Sequence, residues 1–215
     1  MKQAFFSAAC VSAASLLAVT AAHAETQTFD FGGFKKVHAS AGVDVEVTVG
    51  GDYAVRAEGS AEALERLRVE LDGDELEIGR ESNRGMFSMG NKWKVTVYVT
   101  TPALDGVSVS SGADLSATGI DAAEFDVSVS SGADAELSGS CGALNAKGSS
   151  GADLDAEDLQ CTDAVADVSS GADLTIYASQ SLKADASSGG DITVYGGPKN
   201  TDIDKSSGGG VTIRD

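Results

Sequence analysis

The sequence predicts an all-β chain wound as a single-stranded right-handed parallel β-helix, a solenoid with rungs of about 19 residues. Three observations predict it. The first is a tripeptide repeat. Ser-Ser-Gly occurs at Ser110-Ser111-Gly112, Ser130-Ser131-Gly132, Ser149-Ser150-Gly151, Ser169-Ser170-Gly171, Ser187-Ser188-Gly189 and Ser206-Ser207-Gly208, with glycine spacings of 20, 19, 20, 18 and 19. The second is the phase of the apolar residues around each glycine. Three residues on stand Val45, Leu115, Ala135, Leu154, Leu174, Ile192 and Val211, and five on stand Val47, Ala117, Leu137, Ala156, Ile176, Val194 and Ile213. Five and three residues before the glycine stand pairs such as Val107 and Val109, Val127 and Val129, Ala166 and Val168. Polar residues separate them, so each repeat holds short strands with one buried face, and the glycine turns the corner where φ > 0 is needed. The third is composition. Apolar residues make up 42% of the 215, but aromatics only 6%, with 26 Gly against 2 Pro. Such a core is narrow and filled by Ala, Val, Leu and Ile. A leucine-rich repeat is the competing solenoid, but its Leu-x-x-Leu-x-Leu frame and Asn/Cys ladder are missing.

Residues 1–24 read as a secretory leader. Lys2 supplies the positive start, Ala4 to Val19 the apolar run, and Ala22-His23-Ala24 the small residues before a cut between Ala24 and Glu25. The run is short for a membrane anchor, and no basic stop-transfer segment follows it. Cys10 is preceded by Ser7-Ala8-Ala9 without the leucine that lipidation expects. No later segment is long and apolar enough to span a bilayer. Residues 25–215 form a single β-helix domain, with irregular N-terminal rungs and a cap at 25–106 and regular rungs at 107–215. Within the first part Val43–Val49, Tyr53–Glu58, Val69–Leu71, Leu76–Ile78 and Trp93–Thr100 read as strands, and Ser60 as the N-cap of a short helix through Arg66. The stretch 79–91 has no pattern and reads as a loop. Trp93 and Gly85-Met86-Phe87-Ser88-Met89 are either an apolar patch for a partner or end-cap packing. A cap is what a solenoid needs at its end.

The order of the segments then matters. Phe34-Lys35-Lys36-Val37, Val43-Asp44-Val45-Glu46-Val47, Asp72-Gly73-Asp74-Glu75-Leu76-Glu77-Ile78 and Val95-Thr96-Val97-Tyr98-Val99 before Pro102 precede the Ser-Ser-Gly-Ala-Asp-Leu repeats. This order resembles the bacterial head GIN domain of auto-transporter adhesins, over nearly all of the chain after the leader. The resemblance implies a right-handed β-helix and an adhesin-like role, and brings no catalytic residues with it. Unlike the name, the sequence shows no translocator barrel and no surface-anchoring signal after Val211-Thr212-Ile213-Arg214-Asp215.

Cys141 and Cys161 each lie ten residues before their repeat's glycine. Equal offsets in neighbouring rungs place their Cα atoms ~5 Å apart, and the leader implies an oxidising compartment, so a rung-to-rung disulfide is expected, against two small buried thiols. His38 is the one histidine after the leader, which makes a metal site at the cysteines a poor alternative.

Two residues after the glycines come Asp44, Asp114, Asp134, Asp153, Asp173 and Asp191. The last five fall in successive rungs and predict a column. Like charges ~5 Å apart repel by about 3 kcal/mol at an effective dielectric near 20, and by under 1 kcal/mol in water. Either each Asp is a hydrated corner residue bonded to its own turn, or Ca²⁺ screens the column through carboxylate and corner carbonyl oxygens. The nonapeptide calcium roll is not matched.

The formal net charge of −18 excludes a nucleic-acid binder and electrostatic docking on anionic lipid. The serine pairs read as hydroxyl ladders at the corners, with no histidine near them in sequence to make them nucleophiles. A polysaccharide-active β-helix enzyme needs one differentiated acid–base site. Here the acids repeat uniformly, and Lys147 and Lys183 are isolated. An ice- or crystal-binding solenoid needs uniform outward Thr rows, which the mixed Ser116, Glu136, Asp155, Thr175 column does not supply. The expectation is a non-enzymatic exported protein of the cell envelope, periplasmic or at the surface, presenting repeated polar faces to an envelope glycan or a protein, with no cofactor beyond the Ca²⁺ alternative.

Overall fold

The computed structural model describes residues 25–81 and 94–214. The expected leader, including Ala24, lies outside the described residues, as do Trp93 and residues 85–89. Glu25 begins the first strand, β1 (Glu25–Phe29).

β2 (Lys36–Ala39) and β3 (Asp44–Val49) flank the corner at Ala41-Gly42. Then come β4 (Ala54–Gly59), helix α1 (Ala61–Leu64), β5 (Leu67–Asp72), β6 (Glu75–Arg80) and β7 (Val95–Thr101). The Ser60 side chain caps α1, accepting from the Ala63 N–H, and Ala63 and Leu64 on the helix are buried. β8 (Gly106–Ser110) leads into long strands that bend around the solenoid: β9 (Asp114–Ser130), β10 (Asp134–Ser149), β11 (Asp153–Val168) and β12 (Asp173–Ala186). β13 (Asp191–Tyr195), β14 (Asn200–Lys205) and β15 (Gly210–Ile213) complete the order. β8 through β15 pair in parallel, rung on rung, which makes the chain a parallel β-solenoid.

Chain order and spatial order part company near the start. β3 pairs with β7 on one side and β9 on the other, and β2 lies likewise between β6 and β8. The first rung in sequence is therefore second in space. The excursion through residues 50–105 returns to its outer side and closes that end with antiparallel pairs: β1 on β4, β4 on β7, β5 on β6.

The corners are tighter than one glycine would make them. The serine before the glycine is also left-handed: Ser111 has φ 57 and Gly112 φ 68, and the same pair recurs from Ser131-Gly132 to Ser207-Gly208. Two successive positive-φ residues, with Ala172 N donating to Ser169 O at 3.2 Å and Gly190 N to Ser187 O at 3.0 Å, give a type I′ geometry. A left-handed serine costs roughly 1–2 kcal/mol in isolation, and here the stacked corner holds it. Gly151 N donates to Ser170 O of the next rung, and Asp153 N to Ala133 O of the one before.

Beyond each corner the alternation of buried and exposed residues runs until two exposed residues come together, and the chain bends. In β11 this happens at Glu157-Asp158 and again at Thr162-Asp163, which divides the rung into three faces. Leu154, Ala156, Leu159, Cys161, Ala164, Ala166 and Val168 all point inward and are buried. The alanine after the glycine at four successive corners, Ala113, Ala133, Ala152 and Ala172, is fully buried, as is Val43 at the first corner. At the capped end the larger Phe34 fills the core, tilted against Tyr53 at 5.0 Å.

Candidate functional site

Stacking in register turns each sequence offset into a straight outer column. The aspartate column forms as expected. Asp114 pairs with Asp44 and Asp134, Asp153 lies between Asp134 and Asp173, and Asp191 follows Asp173. Two residues on runs a second column: Glu46, Ser116, Glu136, Asp155, Thr175, Thr193. Between them lies a shallow hollow of about 500 Å³, floored by Val45, Leu115, Ala135 and Leu154. At the capped end the second column continues to Tyr98, whose ring lies 3.9 Å beneath the Arg56 guanidinium. Arg56 is itself ion-paired to Glu58.

This acidic face is under mild electrostatic strain. Partial burial, then the charges of Asp114 and Asp153, holds the Asp134 carboxyl above its ordinary value. Asp173 is raised in the same way, by burial and then by Asp153 and Asp191. Asp114, Asp134, Asp153, Asp173 and Asp191 are all exposed, so water takes most of the repulsion. A column spreads its carboxylates along an edge instead of converging them. Among the described residues no group of three or more His, Cys, Asp or Glu side chains is arranged to hold a metal ion.

The face before the corner has different chemistry. One column reads His38, Ser108, Ser128, Lys147, Asp167, Asp185, and its neighbour Lys36, Gly106, Asp126, Asn145, Val165, Lys183. Asn145 Nδ2 donates to Asp126 Oδ1 at 3.1 Å, and His38 Nε2 lies 3.5 Å from Ser110 Oγ. Two hollows of about 340 and 480 Å³ open here. Residue type and spacing alone point to the aspartates and not to this face. Its signal was available in the residues four before each glycine, where serines give way to Lys147.

Cys141 and Cys161 are opposite one another in register and joined by a disulfide, with Cα atoms 4.5 Å apart. Both are buried. The bond is a staple on the core side and takes no part in either outer face.

Solved structures share this architecture. A crystal structure described as a putative adhesin from Bacteroides fragilis superposes with a TM-score of 0.69 at 17% identity, covering 90% of this chain and 97% of its own. Another, described as a putative adhesin from Parabacteroides merdae, gives 0.53 at 11% identity, covering 89% and 96%. A third, described as a putative lipid binding protein from Parabacteroides distasonis, gives 0.50 at 13% identity, covering 89% and 97%. At these identities the likeness is one of fold. No curated protein matches the chain. No helix among the described residues is long and apolar enough to cross a membrane. The model of one family matches residues 33–198, through the capped end and most of the regular rungs, and the chain belongs to that family: "Putative auto-transporter adhesin, head GIN domain".

Proposed function

We propose that this chain is an exported, non-enzymatic, adhesin-like protein of the cell envelope that binds an envelope glycan or protein through its stacked outer columns. The observation that carries this reading is the register itself. The same outward position repeats from rung to rung, so the molecule offers long polar ladders and shallow hollows to an extended partner. Family membership supports an adhesin-like role, and the leader at residues 1–24 supports export to the periplasm or surface. A polysaccharide-cleaving enzyme would concentrate its acid and base at one rung, whereas here the acids recur along the column.

Calcium screening of Asp114, Asp134, Asp153, Asp173 and Asp191 is a subsidiary reading, favoured by the in-register stacking of like charges.

The test is retention of chain 25–215 on isolated cell envelopes, before and after protease or glycan-degrading treatment of those envelopes. Saturable retention, abolished by one treatment, is expected. Release of reducing sugar from a polyuronate, or no retention at all, would overturn the reading.

A further inference from the structure

The two hollows on the face before the corner are one trough. They share Ser128 and Lys147 as common wall, and together follow the solenoid axis. Along the trough Ser108, Ser128, Lys147 and Asp167 stand on successive strands. Neighbouring rungs are ~4.8 Å apart, close to the advance of one pyranose unit in an extended glycan. A sugar chain laid along the axis therefore advances by about one sugar per rung over the few rungs of the trough.

The trough's chemistry narrows the ligand. The hollow on the acidic face is lined by carboxylates, hydroxyls and apolar stems, with no cationic donor. The trough offers strong donors and acceptors side by side. Lys147 brings three N–H donors, and among the described residues it makes no ion pair. Ser128 both donates and accepts. Asp126 keeps one carboxylate oxygen free after accepting from Asn145, and Asn145 keeps its carbonyl oxygen and one N–H. A locked carboxylate–amide pair of this kind matches two adjacent sugar hydroxyls, each of which donates and accepts. Asp167 beyond Lys147 provides another acceptor. These groups stand exposed or half-buried, and among the described residues the Asn145–Asp126 bond is the side-chain hydrogen bond they make.

Charge decides between neutral and acidic sugars. The chain carries −18 overall, and the trough is lined by Glu75, Asp126, Asp167 and Asp185 against Lys36 and Lys147, so acids outnumber cations along it. A uronate chain would meet this field at every sugar, a neutral one at none.

We propose that the trough centred on Ser128 and Lys147 binds a neutral oligosaccharide lying along the solenoid axis. This inference rests on the adhesin-like reading and deepens it by naming the ligand class and the face that takes it.

The experiment uses an array of neutral and uronate-containing oligosaccharides of four to six sugars, probed with chain 25–215 and three variants. Ser128→Tyr plugs the trough where the two hollows meet, from an exposed strand position that suits tyrosine. Lys147→Ala removes the central donor and keeps the test decisive if the tyrosine disturbs its strand. Asp153→Asn alters only the acidic face. Neutral oligosaccharides are expected to be retained by the parent chain and by Asp153→Asn, and bound about tenfold or more weakly by Ser128→Tyr and Lys147→Ala at unchanged Tm. Retention that neither trough variant moves would overturn the site, and preference for uronates would overturn the ligand class. No retention of any array glycan, with whole envelopes still capturing the chain, would overturn the inference and leave the adhesin-like reading standing with a protein partner.

Discussion

The two ends of this solenoid solve the same problem differently. At the N-terminal end, β4 and β5 run antiparallel to the rung strands they cover, β1 pairs antiparallel with β4 outside it, and α1 adds Ala63 and Leu64. Leu76, Ile78 and Val97 behind them are as buried as any interior residue. At the other end, among the described residues, β14 pairs only with β12, and β15 only with β13. Val211 there is half-buried and Ile213 is 41% exposed, although Ile176 and Val194 at the equivalent position in earlier rungs are at 0%. The same apolar residue in the same frame is core or surface according to whether a rung lies on both sides. A rung buries its neighbour, not itself. Asp202, Asp204 and Lys205 on β14 put charge on the uncovered edge, which discourages edge-to-edge association.

The largest effect expected from testing this contrast is at glycines. A Cβ at Gly139, where φ is +136, would stand 2.1 Å from the Ile120 carbonyl oxygen of the adjoining rung. Gly139→Val should cost at least about 4 kcal/mol, enough to abolish the cooperative urea transition. Gly208→Ala in the uncovered rung meets nothing within 4 Å and should cost only about 1 kcal/mol, from its positive φ alone. Next, Ile176→Ala should lose about 2–5 kcal/mol, while Ile213→Ala should stay within about 0.5 kcal/mol. Equal losses would mean that the uncovered rung is covered in solution.

Removing the staple comes third. Cys141→Ser with Cys161→Ser releases a closure 20 residues apart and should lower stability by roughly 3 kcal/mol, read by urea melts beside the reduced parent chain. A loss below about 1 kcal/mol would show that stacking alone holds these rungs.

The smallest effects concern the acidic face. Asp134 and Asp173 titrate above the ordinary aspartate value of 3.8 in the folded chain, so the native state binds protons more readily than the unfolded one. Their stabilising contribution is complete below the unfolded value and lost as pH rises through the raised one. Asp134→Asn should therefore raise Tm by a degree or so at pH 7 and leave it unmoved at pH 3. Glu70, lowered by its hydrogen bond from Arg68, acts in the opposite sense, contributing at neutral pH and losing that contribution on acidification. If calcium screens the column, millimolar Ca²⁺ should raise the melt of the parent chain above its value in EDTA, and Asp153→Asn with Asp173→Asn should flatten the difference.

Much of this was legible in the residues. The Ser-Ser-Gly period gave the rung, the alternation gave the inward positions, and the equal offsets of Cys141 and Cys161 gave the staple. These signals are local or strictly periodic. The place of β3 between β7 and β9 was not legible, because nothing within Val43–Val49 says that a partner some 50 residues later will return to its outer side. The left-handed serines escaped because serine carries no strong sign of positive φ; only the stacked corner imposes it. The trough escaped for a third reason. Ser128 and Lys147 are unremarkable singly and belong together only once rungs 19 residues apart are laid side by side.

The staple has a mechanical side. A protein held at one end and pulled at the other meets load along its chain, and a parallel solenoid peels rather than shears. Each rung detaches by opening one ladder at a time, paying out about 19 residues, or roughly 60 Å of chain. Loaded from its C-terminal side, the molecule would peel from its uncovered edge inward, through β15, β14, β13, β12 and the end of β11, until the force reached Cys161. There the bond to Cys141 carries the load past residues 142–160, so that one rung is withheld from the extension and the load passes on to Cys141 in β10. The staple thus takes about one rung out of the chain that tension can draw out, and of the wall shared by the two hollows Lys147 lies inside that shielded loop and Ser128 outside it.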